Sequence, residues 1–448
     1  MKKNHFYWVA IVLFIAAAGF IVVKYKKNEK LKTATFYPLK ERTGSMANTA
    51  EAKQVKKQFA DLMKVAGTNP DDMKSRISLA SLYIQEARVT GNYMYYDMAA
   101  MKYVNEVLEK DAMNFEALTF KSLLYLSQHH FAEGLAIAEK AKAQNPDNAF
   151  VHGILVDGNV EMGNYDGAID EAEKMMSIRP DMRSYSRVSY LREIHGDYPG
   201  AIEAMKLAVD AGLPGDESTE WTRVHLARLY EITGDLRSAE MHYLIALQKR
   251  PGYAYAIAGQ GRIALAAKDY NKAIASYLHA DSLVNDYSFK EDIAEVYELA
   301  GQKNKSDSII KWLASAMSQD AKSGQQDDNI GHYADRELAY IYLKTGDYDK
   351  ALEHGLAEYN RRPANIDVNE TVAWVYYNRK EYDKALPYLE TAMKTKSKNP
   401  TLLCRAGLIY AKAGNKTKAK ELLGEVAKAS YCLTESLKNQ GLTTLQAL

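Results

Sequence analysis

The chain has 448 residues, with 58 basic and 57 acidic side chains and a net charge of +1. Such a balance sets up no global field for nucleic acid or an anionic surface, so nucleic acid is excluded as the expected partner. Cys404 and Cys432 are the only cysteines, and no C-x-x-C element supports a structural zinc. They read as two buried thiols, with a single bridge as the alternative if the chain is exported.

The N-terminus opens with Phe6 to Val23, eighteen residues without a charge and almost wholly apolar. As a helix this run would extend about 27 Å, enough to cross a bilayer core. Tyr7 and Trp8 suit a membrane interface, and Lys24, Lys26 and Lys27 end the run. The competing reading is a cleavable signal with Ala16-Ala17-Ala18 at its cleavage site, but the apolar run continues through Phe20-Ile21-Val22-Val23, which favours a retained single span. Counting charges on both flanks keeps the rest of the chain in the cytoplasm, whereas the Met-Lys-Lys start looks like a bacterial export signal. The expectation adopted is a single-pass inner-membrane protein with its bulk on the exported, periplasmic side. Residues 1–27 are therefore the anchor. From Asn28 to about Ala50 no sustained apolar period appears, and this stretch reads as a tether.

Residues 51–72 read as a capping helix, with Pro70 after it. From residue 73 to residue 427 a block of about thirty-four residues recurs ten times. Small residues mark the register at Ala100, Gly134, Ala168, Ala201, Ala239, Ala273, Ser306, Ala351, Ala385 and Ala419, separated by 34, 34, 33, 38, 34, 33, 45, 34 and 34 residues. The two long intervals hold loop-like insertions, near Leu213 to Ser218 and from Asp320 to His332. In Gly163-Asn164-Tyr165, Gly196-Asp197-Tyr198 and Gly346-Asp347-Tyr348 a turn pair precedes a large ring, and Pro146, Pro180, Pro251 and Pro363 close units. Apolar residues recur at i, i+1 and i+4, as in Leu226, Ala227 and Tyr230, which is helical spacing. Each block is thus a helical hairpin whose small residue lets two backbones approach while a tyrosine fills the groove beside it. Residues 428–448 read as a second cap and tail, with a helix from Ala429 to Leu437.

This 34-residue period with its small, aromatic and terminal proline positions resembles the tetratricopeptide repeat over about four fifths of the chain. The resemblance implies an all-α, right-handed solenoid of about ten hairpins, extended in shape, here preceded by one transmembrane helix. It also implies a concave surface, lined by the first helix of each hairpin, that binds a peptide or protein segment.

No catalytic constellation, cofactor motif or metal-ligand spacing stands out. His129-His130 belongs at a hairpin turn, Gly259-Gln260-Gly261 lies mid-helix where close packing needs glycine, and Asp327-Asp328-Asn329 is a solvated turn. Much of the excess of tyrosine, 32 against 10 phenylalanines, is architectural. The ligand groove is expected in the fourth to sixth units. There the outward stripe of the first helix reads Arg183, Arg187, Tyr190, then Trp221, His225, Arg228, then Tyr255, Gly259, Arg262, without a carboxylate. The next unit reverses sign with Ser288, Asp292 and Glu295. Arginine forks and rings suit an acidic or C-terminal peptide segment, although the lysine and asparagine clamp of the repeat family is not reproduced. The expected function is a non-enzymatic, membrane-tethered scaffold that assembles an envelope complex; the alternative is an envelope-processing enzyme with an unrecognised site.

Overall fold

The computed structural model describes residues 36–325, 332–428 and 433–448, together with Phe14. Its described residues form twenty-two α-helices and no strand. Ten consecutive helical hairpins run from Met73–Thr90 with Tyr93–Lys110 to Pro400–Lys412 with Lys416–Lys428, after a single helix at Ala50–Thr68 and before one at Glu435–Ala447. Ala100, Ala168, Ala201, Ala239, Ala273, Ala351, Ala385 and Ala419 are all sealed from solvent, and Ser306 nearly so. At Gly134 a Cβ would lie 2.9 Å from a Leu126 methyl carbon, so the small side chain is a packing requirement there too. Gly259 and Gly261 do lie within a helix, Ala254–Ala266, where added Cβ atoms would meet the Tyr243 ring at 2.4 Å and the Tyr277 ring at 3.1 Å.

Every hairpin turns through one residue in the left-handed region. Seven of these are glycines, at 91, 163, 196, 234, 301, 346 and 414, and three are His129, Lys268 and Lys380. The next residue caps the second helix: the side chains of Asn164, Asp197, Asp235, Asp269 and Asp347 each accept the backbone N–H three residues on. The Gly-Asp pairs of the sequence are therefore two devices in series, a reversal that favours glycine and an N-cap that satisfies a helix-end donor.

The expected extended solenoid is instead a coil wound back onto itself. The turn of each early hairpin meets the linker found five hairpins later. In the first, Thr90 O accepts Asn285 N–H at 3.2 Å. In the second, Gln128 O accepts Tyr333 N–H at 3.2 Å and the His129 Nδ1 lies 2.8 Å from Tyr333 O. In the third, Asn365 Nδ2 donates to Glu161 O at 3.0 Å, Ile366 N–H donates to the Tyr165 hydroxyl at 2.9 Å, and Arg362 pairs with Glu161. In the fourth, Gly196 approaches Lys396 O so closely that a Cβ would sit 2.9 Å from it. Ahead of the first hairpin the same offset holds, with Glu51 paired to Arg250 at 2.7 Å and the Thr43 hydroxyl on Leu283 O at 2.7 Å. Turns and linkers expose unpaired backbone groups, and each supplies what the other lacks.

Two further expectations change. The part of the tether from Phe36 onward is docked: Tyr37 O and Pro38 O accept the hydroxyls of Tyr83 and Tyr95, Lys40 N–H donates to the Tyr96 hydroxyl, and Arg42 is buried between Glu86 and Glu51. Second, the terminal helix spans Glu435–Ala447 and begins with Thr434 as its N-cap, later than the stretch from Ala429 to Leu437 suggests. The Phe6 to Val23 run lies outside the described residues except for Phe14, and no helix among the described residues is long and apolar enough to cross a membrane. Asp327-Asp328-Asn329 and Cys432 also lie outside them, while Cys404 is a buried free thiol.

A β-carbon costs about 1–2 kcal/mol in the left-handed region. Lys268→Gly and Lys380→Gly should each therefore raise unfolding stability by about 1 kcal/mol, read from urea midpoints at unchanged slope. Gly163→Ala should do the reverse and more strongly, because its Cβ would lie 2.3 Å from the Ala364 carbonyl.

Candidate functional site

The stripe residues of the fourth to sixth hairpins lie on three successive first helices, Met182–Ile194, Glu217–Thr233 and Ala254–Ala266. Their side chains reach across the grooves between these helices and the ones before them. Arg187 lies against Gly153 of the preceding first helix, donating from Nε to its carbonyl at 2.9 Å, and clamps Asp157 with two bonds of 2.9 and 2.6 Å. Arg228 and Arg262 share one buried carboxylate, Glu231, at 3.1 Å each, and Glu231 also accepts the Tyr243 hydroxyl at 2.7 Å. A second donor of Arg262 reaches that same hydroxyl at 2.7 Å.

The carboxylate-free stripe is thus not a carboxylate-free surface. Asp157 and Glu231 occupy the forks of three of the four arginines, leaving Arg183 as the stripe arginine with which no described carboxylate forms an ion pair. The Glu231 pairing with Arg228 is readable as an i, i+3 spacing on one helix, but the Asp157 and Arg262 pairings need the stacking of neighbouring hairpins.

The aromatic members separate into two groups. Trp221 and His225 meet with ring centroids 3.8 Å apart and their planes tilted by 45°, and Arg88 from the first hairpin comes over the Trp221 ring at 5.7 Å while pairing with Glu217 at 3.0 Å. Arg88 reaches this place only because the coil closes on itself, and nothing in the local sequence announces it. Tyr190 projects separately and is 40 % exposed. Tyr255 turns toward the seventh hairpin, with its hydroxyl 3.2 Å from Asp286 and its ring 5.5 Å from Phe289. Gly259 is filled in by Tyr243 and takes no part in a surface.

Several groups on this face are perturbed by their surroundings. Burial raises the Tyr190 phenol well above its ordinary value, although the side chain is partly exposed. Burial lowers His225 to about 4, helped by the positive charges of Arg228, Arg262 and Arg88, so it is neutral at pH 7. Burial also lifts Glu193 to about 7 against the pull of Arg228, and Asp292 to about 6 against that of Arg262. Across the seam, Asp367 of the ninth hairpin raises both Tyr190 and Glu193 further. No group of three or more metal-ligating side chains with suitable placement occurs among the described residues.

No family model and no curated protein match the chain. Among solved structures it is similar to PilW, a widely conserved type IV pilus biogenesis factor, at 14 % identity over 46 % of this chain and 94 % of that one, with a TM-score of 0.38. It is also similar to the human IFIT1 dimer with PPP-AAAA, at 13 % identity over 85 % and 89 %, TM-score 0.44. A third similar structure is a tetratricopeptide repeat protein from Parabacteroides merdae ATCC 43184, at 16 % identity over 59 % and 98 %, TM-score 0.34. At such scores the architecture rests on this chain's own helices: it is an all-α solenoid of helical hairpins.

Glu231→Ala should strand Arg228 and Arg262 and lower stability by about 3 kcal/mol, measured by chemical denaturation. A pH effect is expected at Asp97, a buried carboxyl in the first hairpin that accepts the Ser127 hydroxyl at 2.8 Å and is lifted by burial to about 7. Its folded value lies above the unfolded value of about 3.9, so the stability it permits at acid pH is lost as the pH rises toward 7. Asp97→Asn should accordingly stabilise by an amount on the order of 2 kcal/mol at pH 8, shrinking toward zero near pH 4.

Proposed function

We propose that this chain is a membrane-tethered scaffold of the tetratricopeptide type, with no catalytic role of its own, that holds a protein segment against the interior face of its coil and so assembles an envelope complex. The observation that carries the reading is the partial exposure of large side chains within that interior, with Tyr190 at 40 % and Trp221 at 36 %. Rings held in a confined, partly dehydrated space offer contact area at low entropic cost. The net charge of +1 favours a protein over nucleic acid as the partner.

Tethering rests on the Phe6 to Val23 run and its lysine flank. Twelve residues, 24–35, separate that run from the docked segment at Phe36, so the scaffold is held within about 40 Å of the bilayer. The Met-Lys-Lys start of the chain supports an exported location, with the repeats in the periplasm of a bacterium. The partner is then a protein segment at or near the membrane surface.

The full-length chain should stay with membranes after an alkaline carbonate wash and, in mild detergent, carry a stoichiometric protein partner. Tyr190→Ala and Trp221→Ala together should reduce that capture at least tenfold while helicity and melting remain as in the wild type. Unchanged capture by the folded double variant rules out the interior face. Turnover of a substrate by the purified array alone supports the enzyme reading instead.

A further inference from the structure

Winding the chain onto itself uses only part of its edges. In a row of stacked hairpins the turns lie along one edge and the linkers along the other. The seam joins the turns of the first winding to the linkers of the second, which leaves the turns of the last hairpins at one end of the molecule and the linkers of the first at the other. The glycines of the turns show the difference directly. A Cβ at Gly91 would lie 2.6 Å from Asn285 O and one at Gly196 2.9 Å from Lys396 O, whereas at Gly301, Gly346 and Gly414, in the seventh, eighth and tenth hairpins, it would meet no described atom within 4 Å. The ring that opens the second helix follows suit: Tyr165 and Tyr198 are buried, but Tyr348 is 40 % exposed.

The open linkers are built like the closed ones. Asn365 caps its helix through Oδ1, which accepts Asp367 N–H and Val368 N–H, and its Nδ2 crosses the seam to Glu161 O. Asn148 caps its own helix in the same way, with Oδ1 accepting Phe150 N–H and Val151 N–H, and no described residue takes its Nδ2. The two ends are also opposite in sign where each is unmixed. The turns at 301–306 and 412–418 carry Lys303, Lys305, Lys412, Lys416 and Lys418 and no acid. The linkers at 69–72 and 145–148 carry Asp71, Asp72 and Asp147 and no base. The eighth and ninth turns and the linkers at 110–114 and 179–181 mix the two signs. Asp71 pairs with Lys110 and Asp147 with Lys174, but both carboxylates stand largely in solvent, so exchanging these partners costs little.

We propose that a second copy of this chain docks head to tail on the first, setting its aspartate-bearing linkers on the open lysine-bearing turns and so continuing the seam from one molecule to the next. The contact is heterologous. Each copy therefore keeps a free turn edge or a free linker edge, and copies add in a row unless the rotation between them closes a ring. The proposal is independent of the interior-face reading, because it concerns the edges of the coil and not its inner wall.

The test is sedimentation velocity of the full-length chain in mild detergent over a range of protein concentrations. The wild type should form dimers and larger species, and raising the salt from about 0.05 M to about 0.5 M should weaken the association about tenfold. Asp71→Lys with Asp147→Lys makes both ends basic, and Lys303→Glu with Lys416→Glu makes both acidic. Each double variant alone should stay monomeric at about ten times the concentration at which the wild type is half associated. An equimolar mixture of the two should associate again, because every end then finds one of opposite sign. All four positions are exposed, and Lys303 and Lys416 each open a helix, where a glutamate is favourable, so helicity and melting should match the wild type. A monomeric wild type overturns the proposal, as does a folded mixture that stays monomeric. Association unchanged in either variant, as contact through Phe6 to Val23 or from turn to turn would give, overturns it equally.

Discussion

The constraint on which the rest of this molecule depends is the close approach of two helices at one small side chain per hairpin. With eight alanines at zero exposure, any larger group at these positions must push the helices apart. Because the approach is the same in each hairpin, the rotation from one hairpin to the next is nearly constant, and errors do not accumulate. Only a constant rotation can return the turn of hairpin one to the linker after hairpin six, and do likewise for hairpins two, three and four. The intervals of 38 and 45 residues do not break the rule, since their additional residues lie in linkers or in the lengthened helix Lys303–Gln325.

Closure of the coil then decides what kind of interior the chain has. An open solenoid would leave its inner face to bulk water, where Glu193 and Asp292 would titrate like ordinary carboxyls. Here a second turn stands opposite the first, and both are lifted by burial. The seam itself is polar, built from backbone donors, hydroxyls and ion pairs such as Arg362 with Glu161 and Arg250 with Glu51. Its pairings use groups that the hairpin fold leaves unsatisfied, so they add order without competing with the core.

Much of the fold is legible because it repeats. The period of small residues, the Gly-Asp turns and the helical spacing each appear several times, and repetition separates a packing rule from chance. His129 at its turn and Gly259 within its helix follow from register alone. What stayed hidden is whatever joins residues far apart in sequence without a periodic signature. Asn365 on Glu161, Arg88 over Trp221 and Thr43 on Leu283 span separations of 204, 133 and 240 residues and obey no local pattern. The docked segment at Phe36 was hidden for a related reason. The tyrosines that pin it, Tyr83, Tyr95 and Tyr96, sit in a packed hairpin, and only their hydroxyls reveal that each polar tip has a backbone partner. Within the candidate site the stripe itself was legible, but the ownership of its charges was not, because Asp157 and Glu231 approach the arginines from outside the stripe.

Ownership of charge changes what an arginine-rich inner face can do. A guanidinium already clamped by a carboxylate gives little net attraction to a second one, since the incoming group must replace bonds of equal quality and strand the first partner in a poorly solvated space. Arg187, Arg228 and Arg262 are therefore better understood as rigid supports. They hold the inner wall in shape, with Arg262 bridging Glu231 and Tyr243, while Tyr190 and Trp221 project from it. On the proposed reading, discrimination by charge would pass to groups whose pairing is incomplete: Arg183 and Glu193 at the two ends of one helix, and Asp292 in the seventh hairpin. A bound segment lying along this face would meet cationic and anionic ends in a fixed order, and so would be read for direction as well as for composition.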